Sequence, residues 1–216
     1  MKRKTRDILF SAGGLLLAGL LLATGLMLTS SANTAKTYVR EQLGRQNITF
    51  PELDELTAEQ RQAACLVRYA GEQLTTGEQA ECYATNYIGL HLKSIADGAS
   101  YADLAEPEAQ LREQVTRAAQ ANDPALDDLR EQLAELTAER QAVLKDETLR
   151  GLLLTTYGFS QFSAKAGQDA IVAYLAAGLL ALLAIGGFVH ALVTPQPTGV
   201  SVPGPARAPD DEQTRV

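Results

Sequence analysis

The chain has 216 residues, with 26 Asp and Glu against 19 Lys and Arg and a formal net charge of −7. An acidic balance of this kind argues against nucleic acid as a partner, because neutralising a phosphate backbone takes an excess of cations. Two cysteines are too few for a disulfide-rich scaffold.

Two uncharged apolar stretches bracket the charge, Ile8 to Leu28 and Ala170 to Val193. A hydrocarbon core of ~30 Å takes about twenty helical residues to cross, with every backbone polar group paired inside the segment. Both stretches meet that length. The expected fold class is an all-α membrane protein in which two transmembrane helices bracket an extracytoplasmic helical domain. Its parts are a basic N-terminus (1–7), transmembrane helix 1 (8–28), the helical domain (29–167), transmembrane helix 2 (170–193) and a disordered, Pro-rich tail (194–216). Lys2, Arg3, Lys4 and Arg6, offset only by Asp7, place the N-terminus in the cytoplasm. Two crossings return the C-terminus to the same side, and the expected location is the plasma membrane. A cleaved signal peptide is the competing reading of the first stretch, since Ser30, Ser31 and Ala32 offer small residues for cleavage. Its apolar run is longer than the roughly 7 to 15 residues of a signal core, which favours a retained anchor.

Gly14, Ala18 and Gly25 in the first stretch, and Ala173, Ala177, Ala181, Ala184, Gly187 and Ala191 in the second, form small-residue stripes at helical spacing. Such stripes let helix backbones approach where lipid supplies no hydrophobic drive. The two helices are expected to pack on each other or on a partner. His190 has no Asp, Glu or second His within either stretch, so no proton or ion pathway is expected.

Between the stretches, residues 29–167 hold 21 carboxylates and 13 Lys and Arg. A phosphate-binding surface is not expected there. The periodicity is helical throughout. Thr37, Tyr38, Val39 and Leu43 continue the first apolar helix up to Gly44, and Thr49, Phe50 and Pro51 end it, because the residue before a proline is pushed out of the helical basin. Thr57 with Gln60 and Thr76 with Gln79 have the spacing of capping boxes. They predict helices over about 58–70 and 77–96, with Asp97 and Gly98 as the second exit.

Cys65 and Cys82 fall at nearly equal distances from the turn at Gln73 and Leu74. Folding the two helices into a hairpin brings them level, and an extracytoplasmic setting permits oxidation. A Cys65–Cys82 disulfide is expected, contributing ~3 kcal/mol on the chain-entropy model. Two thiolates with His91 alone do not complete a metal site. His91 shares a helix face with Tyr87, Ile88 and Ile95, and nothing near it completes a catalytic triad.

Further along, Ser100 with Asp103 suggests a short capped helix, and Leu111, Val115 and Ala118 recur after Pro107 until Asp123 and Pro124 break the pattern. Leu126, Leu129, Leu133, Leu136 and Val143 then form a seam interrupted by Arg140. Intramolecular packing of this seam is the first reading, and a homodimer through Leu126 to Val143 the second. Residues 149–164, rich in Leu, Tyr and Phe, are expected to pack as core against the Tyr83 to Ile95 helix. Pro195, Pro197, Pro203, Pro205 and Pro209 mark the tail as a tether.

The runs Tyr38 to Pro51 (YVREQLGRQNITFP), Tyr69 to Ala80 (YAGEQLTTGEQA), Asn86 to Gly98 with its HLKSIADG ending, and LRGLLLTTYGFS from Leu149 resemble a group of uncharacterised two-pass membrane proteins from GC-rich Gram-positive bacteria. The resemblance covers most of the central region and implies a two-pass topology. Members of that group are sometimes labelled aromatic ring-opening dioxygenases. Iron chemistry of that kind takes two His and a carboxylate, and the two His of this chain fall in different segments, so no functional residue carries over.

The expected role is therefore non-enzymatic, with no cofactor and no metal. A cell-envelope interaction or accessory subunit, partnered by the bilayer and a membrane or envelope protein, is the first hypothesis. An extracytoplasmic ligand sensor signalling through a cytoplasmic partner is the second. A hydrolase using paired carboxylates of the Glu52 to Glu59 segment is the third, and no further residue supports it.

Overall fold

A computed structural model of the chain describes residues 3–194, which are mostly helical and contain no strand. The tail prolines lie outside the described residues. Six α-helices follow in order: α1 (Arg3–Gln46), α2 (Ala64–Tyr69), α3 (Gly77–Cys82), α4 (Gly89–Ser94), α5 (Ala105–Ala121) and α6 (Leu126–Val193). A π-helical stretch, Tyr83–Ile88, joins α3 to α4. Both α1 and α6 are long and apolar enough over part of their length to cross a membrane.

The chain divides into two compact units, one of Met1–Leu22 with Leu175–Val216, the other of Ala23–Tyr174. In the first, the small-residue stripes lie inward. Ala18, Ala177, Ala184 and Ala191 are buried and Ala181 is half-buried. A Cβ on Gly14 would come 3.3 Å from Ala184 Cβ, and one on Gly187 would run into the Ser11 side chain. Large side chains such as Phe10, Leu16, Leu182 and Leu192 point outward and are more than 60% exposed. Small residues inside and large apolar ones outside invert the pattern of a soluble bundle.

The second unit contains the rest of both long helices and everything between them. Gly25 faces the Tyr174 ring, where a Cβ would come within 2.6 Å of Cε1. The Tyr174 hydroxyl lies 2.9 Å from Thr29 Oγ1, and Ser163 Oγ donates to the Ala32 carbonyl oxygen at 2.9 Å. Beyond these contacts comes a core of Val39, Leu43, Phe50, Leu56, Leu66, Leu74, Ile88 and Leu153, with Leu149 and Leu154 packed against it. Leu149, Leu153 and Leu154 thus share a core with Ile88, whereas Phe159 and Phe162, expected in the same packed segment, are 55% and 78% exposed.

Several elements differ from the sequence reading. The helix expected over 58–70 is a 3₁₀ turn, Gln60–Gln62, followed by the short α2, with extended Ala63 between them. The Thr57 capping box forms, with Gln60 N–H donating to Thr57 Oγ1, but Arg61 donates to the Leu53 and Asp54 carbonyls and ties that turn to the preceding loop. Ser100 and Asp103 make reciprocal hydrogen bonds that hold only a turn before α5 begins. The segments 126–143, 149–164 and 170–193 are one uninterrupted helix of 68 residues. No proline falls within it, and its glycines cost only about 1 kcal/mol each, too little to break a long helix that packs on its neighbours.

An antiparallel pairing of residues 48–51 with 71–74 is absent from the sequence reading. Leu74 N–H donates to Ile48 O and Phe50 N–H to Glu72 O, both at 2.9 Å, around a single bridge from Thr49 to Gln73. Gly71 makes it possible by adopting φ +72°, where a side chain would be strained.

Candidate functional site

The disulfide links α2 to α3, with Cys65 and Cys82 joined at an S–S distance of 2.03 Å and a Cα–Cα distance of 6.1 Å. Cys82 is buried, Cys65 is half-buried, and Asn86 Nδ2 donates to Cys65 Sγ at 3.3 Å. Asn86 belongs to the π-helical stretch, a local form that often marks functional positions. Its companions Tyr83 and Tyr87 lie tilted against each other at 4.7 Å between ring centroids, and Phe50 meets Tyr83 edge-on at 5.2 Å. Burial, helped by Tyr87 and the Asp146 charge, pushes the Tyr83 phenol up to about 12. These rings and Cys65 pack against the same core.

At the hairpin of α5 and α6, a carboxylate sits where a core residue would. Leu104, just before α5, and Glu108, Leu111, Val115 and Ala118 on it line one inward face, and Glu108 is 4% exposed. Arg140 Nη1 and Arg112 Nη2 each donate to it at 2.6 Å, and Thr137 Oγ1 donates at 3.2 Å. The Arg140 guanidinium also lies 4.0 Å over the Tyr101 ring. The hydrogen bond from Arg140 outweighs burial and holds the Glu108 carboxyl below its ordinary value. Arg140, an interruption of the seam in sequence terms, is its polar clasp.

His91 Nε2 lies 3.6 Å from Asp146 Oδ2, with the imidazole more than half exposed. Among the described residues His190 has no carboxylate hydrogen bond; it borders a groove with Asp7, Ser11 and Gly187. Among the described residues no group of three His, Cys, Asp or Glu is placed to hold a metal ion.

One cavity with polar groups in its wall belongs to the second unit. A cleft of about 450 Å³ lies between α1, the 75–78 segment and α6, bordered by Asn33, Lys36, Arg40, Thr75, Ser160 and Ser163. Its walls are fixed from several sides. The Gln79 side chain, 5% exposed, accepts from the Thr75 and Thr76 backbone N–H groups at 2.8 and 3.0 Å and donates to Glu72, which locks the turn before α3. Gly77 lets that turn press on α6, since a Cβ there would collide with Ser160. Lys36 and Arg40 stand one turn apart on the same face of α1. Sequence reasoning passed over them. The available signal was that neither has a carboxylate three or four residues away, whereas Arg45 has Glu41.

No protein-family model, no curated protein and no solved structure matches this chain.

Proposed function

We propose that this chain is a membrane-anchored protein of the cell envelope, in which two transmembrane helices hold a disulfide-closed helical domain outside the cytoplasm as a non-enzymatic interaction or accessory subunit. The observation that carries this reading is the outer surface of the two apolar segments. Only 17% of each apolar window is buried, too little for the core helix of a soluble protein. Exposed apolar side chains run from Ile8 to Met27 on α1 and from Ile171 to Val193 on α6. At 1.5 Å per residue these bands measure about 29 and 33 Å, the thickness of a hydrocarbon core.

The orientation is supported by chemistry at both ends of the domain. A basic cluster precedes the first band, as cytoplasmic flanks do. The Cys65–Cys82 disulfide suits an oxidising compartment. An impermeant amine-reactive label applied to intact cells stripped of outer wall tests this placement. Lys93 and Lys145 are expected to be modified before lysis; modification only after lysis overturns it.

The polar cleft favours a second reading, an extracytoplasmic ligand sensor. It borders both α1 and α6, so a bound ligand could bias one helix against the other. Crosslinking in native membranes separates the two: a stoichiometric envelope partner supports the accessory subunit, and a cytoplasmic partner whose yield depends on ligand supports the sensor.

A further inference from the structure

We propose that the cleft bordered by Lys36, Arg40 and Ser160 is a binding site for a phosphate group carried by a polyol headgroup or ester, a proposal that deepens the membrane-anchored reading and rests on it for the ligand's source. Lys36 and Arg40 project from one face of α1 with no ion-pair partner among the described residues, and they are the two cations that border this cleft. Two unneutralised cations one turn apart are a local reversal of the charge of residues 29–167. A guanidinium fork and a mobile ammonium are complementary to phosphate oxygens, the first by paired N–H donors and the second as a point charge.

The remaining wall completes the recognition. Ser160 and Asn33 bring a hydroxyl and an amide to the same space, and Glu78 brings an acceptor that would repel a bare dianion but takes a hydrogen bond from a hydroxyl beside the phosphate. The volume, about 450 Å³, is that of a small-molecule pocket rather than of a single ion. Its height also fits a lipid. Ala32 and Lys36 stand about 6 and 12 Å beyond Leu28 along α1, and Ser163 about 10 Å before Ala170 along α6. Headgroups occupy roughly the first 5 to 8 Å outside the hydrocarbon, and long cationic side chains reach down several ångströms more. A lipid phosphate and a soluble phosphate ester share the chemistry the cleft reads.

The purified full-length protein in a zwitterionic detergent, titrated with phosphatidylglycerol or phosphatidylcholine and read by native mass spectrometry, tests the site. Phosphatidylglycerol is expected to bind in preference, and the double substitution K36Q/R40Q to weaken it about tenfold, the loss of one or two charge-assisted hydrogen bonds. The double substitution R68Q/K93Q removes the same charge elsewhere in the domain and should leave binding unchanged. Equal weakening by both pairs, or by neither, overturns the proposal. If K36Q/R40Q fails to fold by circular dichroism, Ser160→Ala decides: roughly threefold weaker binding supports the site, and unchanged binding overturns it. Added inorganic phosphate identifies the source, since displacement of the lipid assigns a soluble phosphate ester and no displacement assigns the headgroup. Binding in detergent does not depend on which side of a membrane the domain occupies. Failure here therefore removes the cleft's ligand, while labelling of Lys93 only after lysis removes the placement.

Discussion

Glu108 on α5 and Arg140 on α6 meet at 2.6 Å inside the hairpin of these two helices. Because the carboxylate is 4% exposed and takes three donors, removing its charge leaves two guanidinium groups facing a weaker acceptor. Glu108→Gln is expected to lower the thermal unfolding midpoint at neutral pH, whereas Glu106→Gln, two residues away and exposed, leaves it unchanged. The pH dependence follows from the lowered carboxyl. A carboxylate held below its ordinary value stabilises fully above that value and loses the contribution as pH falls through the folded one. The gap between wild type and Glu108→Gln, measured by circular dichroism, should therefore close as pH drops below the ordinary glutamate value of 4.5.

The disulfide closes a loop of 17 residues in sequence separation around the turn before α3. Reducing it, or replacing both cysteines with serine, is expected to cost about 3 kcal/mol. Denaturant unfolding with and without reductant measures the difference. A Cys65→Ser, Cys82→Ser protein insensitive to reductant and already destabilised by that amount identifies the bridge as the cause.

Neighbours on α6 differ sharply in environment, Leu153 being 1% exposed and Leu152 57%. Leu153→Ala opens a cavity beside Ile88 and is expected to destabilise by roughly 2 to 5 kcal/mol. Leu152→Ala should stay within about 0.5 kcal/mol. Equal effects in chemical denaturation would mean that the core is built on another face of the helix.

Gly25 and Gly19 separate packing from composition within α1. A side chain at Gly25 enters the Tyr174 ring, while one at Gly19 meets nothing within 4 Å. Gly25→Leu is expected to destabilise the detergent-solubilised protein by about 1 to 3 kcal/mol, and Gly19→Leu to be neutral. Thermal unfolding of the two variants in the same micelle is the comparison.

What the sequence made legible was whatever depends on local pattern. The apolar bands, the small-residue stripes, the capping boxes of Thr57 and Thr76 and the pairing of Cys65 with Cys82 all follow from spacing along one or two helices. Tertiary features were hidden. The bridge from Thr49 to Gln73 joins segments that lack strand periodicity, and the π-helical stretch Tyr83–Ile88 is a packing response with no residue signature. Arg140 read as a defect in a seam because its counter-charge, Glu108, lies 32 residues away. The cleft was masked by averaging. An acidic total over residues 29–167 hid two cations that the fold leaves unneutralised on one wall, and the missing i±4 carboxylates were the only trace of them.

From Leu126 to Ala170, α6 runs for 45 residues without a break, about 66 Å along its axis. Under the membrane-anchored placement proposed above, such a length holds the turn at Asp123 and Pro124 well clear of the headgroups. On that placement, whatever docks at the tip is met far from the bilayer, at the end of a helix that holds no proline.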